Sequence, residues 1–362
     1  AHLNLIPEPP SIHQQGLSPE FDPVLLRALE KEPQDRFNDF QEFRVALEAA
    51  RRLADRKAGR RRPAGDAGNR PPEPEPKIGG YEIFSPIGVG SFGSVWKARD
   101  EKGRMLALKI LTPENPCSEE VTRRCFNEAM ILKELQHPHI ARFLDFFDHE
   151  DKYVLAMEYV EGTSLKRYLV RQADLLPFKR AFNIALQMLD ALDYAYQNRM
   201  FDQHIKPRNI LIDTRGDCKI MDFGVTKLLS LLSGESKLQR LSLHYAAPEK
   251  YDPHCTGDVR SDIYSVGLVL YEMFTGRRAF MVRRPEQIIA CHLNLVPEPP
   301  VSYAPDLPDE VNQTVMKALD KNPAARFKDF GEFSMALKLG IRTTARSFHR
   351  GGTMRRPRPV EG

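Results

Sequence analysis

The sequence predicts an α+β chain of two lobes, a small antiparallel sheet lobe carrying one helix and a larger, mainly helical lobe. Three observations predict it. Over residues 81–110 short apolar runs alternate with polar residues and break at glycines, the period-two pattern of paired strands. Beyond Gly162 the period changes: Phe182, Ala185, Leu189, Leu192 and Tyr196 recur at spacings of three and four, one buried face of a helix over 178–197. Residues 261–275 are apolar on nearly all sides, which puts that helix in the middle of the helical lobe.

Taken in order, the chain opens with a repeat. Residues 1–48 match residues 291–338 at a constant offset of 290, with 22 of 48 positions identical and no gap, as in AHLNLIPEPP against CHLNLVPEPP. That period fits no solenoid, so 1–50 reads as a partial repeat of a lobe end, as if the chain began inside the tail of an upstream copy. Residues 51–80 follow as a linker rich in Arg, Pro and Gly, too poor in apolar residues to fold alone. The strands expected next are YEIFSPIG, SVWKARD and, after a turn at Glu101-Lys102-Gly103, MLALKIL. Ser118 followed by two Glu is an N-cap signal for a helix over 118–135, with Phe126, Met130 and Leu132 at helical spacing. Strands are expected at 143–147 and 153–157, helices at 309–319 and 329–338, and a disordered basic tail over 341–362.

Composition bounds the chemistry. A chain of 362 residues, 41% hydrophobic and 28% charged, has ample material for a core. The five cysteines form no C-x-x-C pair, which argues for plain packing thiols in a reducing compartment. No apolar run reaches the roughly 18 residues of a membrane span, so the expectation is a cytoplasmic domain with membrane contact only through segments outside this sequence. The net charge of +4 is uneven: residues 51–70 carry +6 and 341–362 carry +5, leaving −7 for the remainder. No aromatic residues interleave these basic stretches, so they read as solvated tails rather than nucleic-acid binders.

Three motifs carry the chemistry. Ile87-Gly88-Val89-Gly90-Ser91-Phe92-Gly93-Ser94-Val95 lies between two expected strands. Glycines at this spacing serve a tight turn as well as a phosphate loop, but a strand-to-strand setting disfavours a dinucleotide site. Lys109, flanked by Leu108 and Ile110 in a strand, needs a partner, and Glu128 in the next helix offers one. The third is Asp202-Gln203-His204-Ile205-Lys206-Pro207-Arg208-Asn209, with Asp222-Phe223-Gly224 thirteen residues beyond.

In this order the motifs resemble a protein kinase domain of the bacterial eukaryotic-like Ser/Thr type over 81–340, with 81–160 as the sheet lobe and 161–340 as the helical lobe. The resemblance implies ATP and Mg²⁺ as cofactors. It places Ile87, Gly88, Gly90, Phe92, Gly93 and Val95 over the nucleotide, Lys109 on its phosphates with Glu128 holding it, and Asn209 and Asp222 on Mg²⁺. Met157 resembles the gatekeeper, Glu158 and Val160 the hinge that binds adenine, and Ala107 and Leu211 the walls of the base pocket. Ala247-Pro248-Glu249 resembles the APE motif, Arg326 its buried partner, Asp262 the brace of the catalytic loop, and Lys206 the lysine on the γ-phosphate. The APE and Arg326 elements set the chain apart from small-molecule kinases of the aminoglycoside type.

The departures bear on function. His204 stands where the family has its catalytic Asp, Gln203 where it has Arg, and Asp202 where it has His. Gln203 cannot make the bidentate contact to a phosphorylated loop that an Arg makes. General-base help is worth typically about 10²–10⁴-fold, so its loss would silence most of the chemistry. The sequence therefore predicts an Mg·ATP-binding pseudokinase that signals as a scaffold or allosteric partner. The alternative is an active Ser/Thr kinase with His204 as substitute base, since an imidazole with a pKa near about 6.5 is itself competent. Protein partners and oligomeric state are left open. His137 and His139 flank Pro138 in a turn and read as structural.

Overall fold

The computed structural model describes residues 7–14, 16–30, 77–90, 93–111, 117–150, 152–171, 176–200, 204–233, 243–252 and 257–344, with 36, 37, 43, 44, 46, 47, 50, 51 and 54. The chain divides into two compact units, residues 1–129 with 143–159, and residues 130–142 with 160–362.

The first unit begins with α1 (Pro10–His13), a 3₁₀ turn (Pro19–Phe21) and α2 (Asp22–Ala28). Pro23 sits in the first turn of α2, where its missing N–H breaks no helical bond. Val24, Ala46 and Ala50 are buried together, with Phe21, Phe37, Phe43 and Leu47 packed on them.

The sheet follows as β1 (Lys77–Ile78), β2 (Tyr81–Gly90), β3 (Gly93–Arg99) and β4 (Met105–Leu111). Then come α3 (Glu119–Lys133), β5 (Phe143–His149) and β6 (Lys152–Glu158). The strands lie in the order β1-β2-β3-β4-β6-β5, with every neighbouring pair antiparallel. Period-two alternation divides the side chains between two faces. Ile83, Ala98, Leu106, Leu108, Val154 and Ala156 form the core of one face, with Trp96 and Phe147 packed against it. The other face carries α3, whose Phe126 meets Phe146 edge-on at 5.0 Å and whose Thr122 hydroxyl lies 2.7 Å from the Tyr153 hydroxyl. Because both faces of β6 are covered, Tyr153, Val154, Leu155, Ala156 and Met157 are all buried.

The second unit opens with β7 (Gly162–Ser164), α4 (Leu165–Arg171) and α5 (Phe178–Gln197). Next come β8 (Ile210–Asp213), β9 (Cys218–Ile220) and α6 (Val225–Ser233). The chain then runs through α7 (Val259–Thr275), α8 (Pro285–Asn294), α9 (Asp309–Ala318) and α10 (Phe330–Thr344). In α7 every residue except Arg260 and Glu272 is buried, as its all-round apolar sequence requires. The Asp258 carboxylate caps its start by accepting from the Arg260 N–H, and Gly276, with φ of 70°, closes its end in the left-handed conformation. Strands β7, β8 and β9 form a small antiparallel sheet.

Three boundaries differ from the sequence expectation. A helix, α6, occupies the stretch directly after Asp222-Phe223-Gly224, where only a loop was expected. Helix α10 runs on to Thr344, so the first four residues of the expected tail are helical. Gly340 does not stop it, because it serves close packing: a Cβ there would stand 3.1 Å from Val311 and 3.2 Å from Glu310 on α9. Arg51 and Ala54 have helical backbone inside the expected linker. Residues 55–76 and 345–362 lie outside the described residues.

Candidate functional site

The β2–β3 hairpin sets the glycine motif. Gly88 is registered with Val95 and Gly90 with Gly93, which leaves two residues at the tip. Ser91 and Phe92, the tip residues, lie outside the described residues. The glycines have different reasons to be glycine. At Gly93, φ is 142° and a Cβ would stand 1.8 Å from the Ile110 carbonyl oxygen, so the sheet itself forbids a side chain. At Gly88 a Cβ would meet nothing within 4 Å, so packing places no demand there and the surface is left open for a close approach. Ile87 beside it is 46% exposed.

Register gathers the expected pocket residues on one sheet face. Val95 pairs with Lys109, Lys109 with Leu155, Ala107 with Met157 and Met157 with Phe143. Registered residues point the same way, so Val95, Ala107, Lys109 and Met157 share a face. Phe146, which Phe126 of α3 contacts, is registered with Leu155, so α3 with Glu128 lies over the face that bears Lys109. Ala107 and Met157 are buried, while Val95 and Lys109 are half-buried. Glu158 ends β6 opposite Leu106, and Tyr159 and Val160 continue as coil. The Lys97 ammonium lies 4.3 Å over the Tyr159 ring, which ties this connection to β3.

In the second unit the β8–β9 hairpin brings Asn209 and Asp222 to one end. Ile210 is registered with Ile220, and the Met221 N–H donates to the Asn209 carbonyl at 2.7 Å. Asn209 ends a 3₁₀ turn (Pro207–Asn209), its N–H donating to the Lys206 carbonyl at 2.9 Å. Its side-chain amide donates to the His204 carbonyl at 3.2 Å, which fixes the loop from 204 to 209 as one piece. His204, Lys206 and Asp222 are half-buried, and Phe223 is buried. Asp222 has φ of 55°, a left-handed conformation that few non-glycine residues adopt and that Asp tolerates better than most. Gly224 has φ of 68° and lies so close to Leu132 that a Cβ would stand 2.4 Å from Cδ2. Leu211 stands on β8 opposite Ser164, where Gly162 admits the Ile212 carbonyl to within 2.3 Å of a Cβ position. Asp202 and Gln203 lie outside the described residues.

The segment after this centre is bolted to α7. Arg326 donates to both carboxylate oxygens of Glu249, at 2.8 and 2.9 Å, and Ser261 adds a third bond at 2.6 Å. Burial pushes the Glu249 carboxyl up, but the Arg326 and Ser261 bonds outweigh it and hold the group below the usual carboxylate range. Buried Asp262 has the Lys250 ammonium 3.7 Å away. Tyr245 donates to Glu272 at 2.5 Å, and Ser265 to the Tyr245 carbonyl at 2.7 Å. The Glu249–Arg326 pair was legible in the sequence, whereas Tyr245, Ser261 and Glu272 were not, because they carry no motif.

His137 stacks on Tyr194 at 5.1 Å and lies 3.3 Å from the Asp190 carboxylate, while the ring of His139 meets the Cys218 carbonyl. Among the described residues no cluster of His, Cys, Asp and Glu could hold a metal by itself. Cys125, Cys218 and Cys291 are buried, and burial pushes the Cys125 thiol up to about 11. Cys255 lies outside the described residues. No described helix is long and apolar enough to cross a membrane.

The model of the protein kinase domain matches residues 81–335. This chain belongs to the protein kinase domain family. The kinase domain is 34% identical over 250 residues to a probable serine/threonine-protein kinase of Clostridium perfringens, covering 68% of this chain and 36% of that protein. It is 35% identical over 265 residues to the serine/threonine-protein kinase PrkC of Bacillus subtilis, covering 73% of this chain and 41% of that protein. The chain thus spans well under half the length of these relatives. Among solved structures, the Mycobacterium tuberculosis PknI kinase domain superposes with a TM-score of 0.59 at 25% identity, over 75% of this chain and 100% of that one. The fold is that of a bacterial Ser/Thr protein kinase domain, a sheet lobe followed by a helical lobe.

Proposed function

We propose that the kinase domain binds ATP with Mg²⁺ and holds the nucleotide without efficient phosphoryl transfer, acting in signalling as a scaffold or allosteric regulator. The observation that carries this reading is His204: Asn209 and Asp222 stand in family order after it, but the base position holds an imidazole instead of a carboxylate.

The residues present fit the cofactors. The open surface at Gly88 suits a phosphate backed by hairpin N–H groups. Lys109 would meet the α/β-phosphates. The Asn209 amide nitrogen is committed to His204, so its oxygen would be the group to meet a cation, and the Asp222 carboxylate would be the second hard oxygen donor that Mg²⁺ prefers. Bound Mg²⁺ would neutralise phosphate charge there. By the family resemblance, Val95, Ala107 and Leu211 are the residues assigned to the base, Met157 to the gatekeeper, and Glu158 and Val160 to the backbone groups at its edge. Losing the catalytic carboxylate costs the step about 3–5 kcal/mol of barrier stabilisation. A protonated His204 would add positive charge beside the phosphates and favour retention over turnover.

A second reading, an active Ser/Thr kinase with His204 as base, draws on the Asn209 to His204 bond, which keeps the loop in one piece. It also draws on relatives named as serine/threonine-protein kinases. Nucleotide-dependent thermal stabilisation, with and without Mg²⁺, tests the binding half of the proposal. Label transfer in the His204 variants separates the two readings. We also read 1–50 as a repeat of a kinase lobe end, 51–80 as a linker, 81–340 as the kinase domain and 341–362 as a basic tail. Asp262 is read as the brace of the catalytic loop.

A further inference from the structure

The start of α3 gathers two cysteines around one hydroxyl. Ser118 caps the helix, its Oγ accepting from the Val121 N–H at 3.3 Å. Cys117 therefore stands just before the cap, where a residue folds back over the fourth helical position, here Thr122. The fold-back is visible at Tyr153 of β6. Its hydroxyl lies 2.7 Å from the Thr122 hydroxyl and is also hydrogen-bonded to the Cys117 side chain. Cys125 comes three residues after Thr122, a spacing at which helical side chains are neighbours, about 4.5 Å further along the axis. Cys125 and, one turn on, Ala129 are both buried, which puts the thiol on the sheet-facing side of α3. There it interacts electrostatically with both the Cys117 thiol and the Tyr153 hydroxyl.

The two thiols differ in access. Cys117 is half-buried, whereas Cys125 is fully buried. Burial pushes the Cys125 thiol up to about 11, so it is not the group that meets an oxidant first. A buried cysteine alone is ordinary packing. A more accessible thiol about one helical turn away changes that, because the pair then has an attacked sulfur and a resolving one.

We propose that Cys117 and Cys125 form an oxidation site whose disulfide loosens α3 and weakens nucleotide binding. The oxidant is a peroxide. The Cys117 sulfur, as thiolate, attacks one oxygen of H₂O₂, giving a sulfenic acid and, after proton transfer, one water. The Cys125 sulfur then displaces the sulfenic oxygen as a second water, so two thiols and one H₂O₂ become one disulfide and two waters. Transient disulfides of this kind suit a reducing compartment. A disulfide sets its Cβ atoms about 3.8 Å apart. Cys117 stands level with Thr122, short of Cys125, so closing the bond draws it off the Tyr153 hydroxyl and opens the cap at Ser118. The Thr122–Tyr153 contact ties this end of α3 to β6, the strand registered with Lys109. Glu128 follows Cys125 by three residues on the same helix, so a loosened α3 holds Lys109 less firmly. The effect on nucleotide rests on the ATP reading above, whereas the disulfide itself does not.

The test uses the full-length chain, reduced and then treated with hydrogen peroxide. Arg123 and Arg124 separate the two cysteines, so trypsin cuts between them and the disulfide appears in mass spectra as two joined peptides. That species is expected, with release by dithiothreitol and none in Cys117→Ser. The Kd for Mg·ATP should weaken about tenfold on oxidation and return on reduction, while peroxide leaves the Kd of Cys117→Ser unchanged. Cys117 left reduced, found only as sulfinic acid, or joined to any cysteine but Cys125 overturns the site. A 117–125 disulfide that leaves the Kd unchanged overturns its coupling to the nucleotide. Should the reduced chain bind no Mg·ATP, the nucleotide reading fails, and the joined peptides alone decide the oxidation site.

Discussion

The Arg326 guanidinium holds the Glu249 carboxylate with both terminal nitrogens, at 2.8 and 2.9 Å, across 77 residues of sequence. Arg326 also donates to the Asp320, Arg260 and Lys321 carbonyls, so all its nitrogens are engaged. The pair therefore joins the segment 243–252, the start of α7 and the approach to α10 at one point. Removing either partner strands the other in a dry site. Arg326→Ala is expected to lower unfolding free energy by about 3–5 kcal/mol, read from urea melts. A loss below about 1 kcal/mol would show that the fork contributes little.

A buried histidine makes the helical lobe acid-sensitive. His292 shares its ring nitrogen with the Tyr264 hydroxyl at 3.0 Å and meets Phe280 edge-on, with Tyr251, His244 and Lys321 around it. Burial first, then the charges of Lys321 and His244, push its pKa down from 6.5 to about 3. The folded pKa is depressed, so the unfolded chain takes up a proton that the folded chain refuses. This contribution is present above pH 6.5 and drains away as pH falls toward 3. Urea midpoints should fall between pH 6.5 and 5, above the window of Glu249, and His292→Gln should flatten that slope. Lys321, pushed down to about 8 by burial and Arg326, acts at the other end, where stability should rise as pH climbs from 8 toward 10.5.

Two glycines of one motif should respond differently. Gly93→Ala drives a Cβ onto the Ile110 carbonyl at a φ of 142° and should cost at least about 1–3 kcal/mol of stability, with nucleotide absent. Gly88→Ala enters open space and should change stability by less than about 0.5 kcal/mol. Its effect should appear in the Kd for Mg·ATP, weakened about tenfold. Thermal melts with and without nucleotide read both quantities, and equal stability losses at the two positions would contradict the assignment.

Lys109→Met should leave the melt of the nucleotide-free chain in place and abolish its upward shift with Mg·ATP. At 100 times Kd a bound ligand adds about 2.7 kcal/mol, so the loss is easily resolved by calorimetry. A full shift retained in the variant would remove Lys109 from the site.

Local patterns made most of the fold legible. The helix over 178–197 shows its buried face in Phe182, Ala185, Leu189 and Leu192, and the structure begins and ends it at those bounds. The strands followed from alternation, and register then set Val95, Ala107, Lys109 and Met157 on one face. Helix α6 was illegible because Val225-Thr226-Lys227-Leu228-Leu229 directly follows a loop motif, and a short apolar run has no decisive period. The Tyr245–Glu272 and His292–Tyr264–Lys321 contacts were also hidden, because they join residues 27 to 57 positions apart with no spacing rule. Gly93 was read as a phosphate-loop glycine, but its packing role needed the Ile110 carbonyl, which only the folded sheet supplies.

The central claim is that this kinase domain holds Mg·ATP while His204 blocks efficient transfer. The most direct measurement is γ-phosphate labelling of the chain itself and of a generic basic protein, comparing wild type, Lys109→Met, His204→Ala and His204→Asp. The account predicts a silent wild type and labelling by His204→Asp, with the gain abolished when Lys109→Met is added. Labelling by wild type that disappears in both His204→Ala and Lys109→Met would contradict it and make the imidazole the working base.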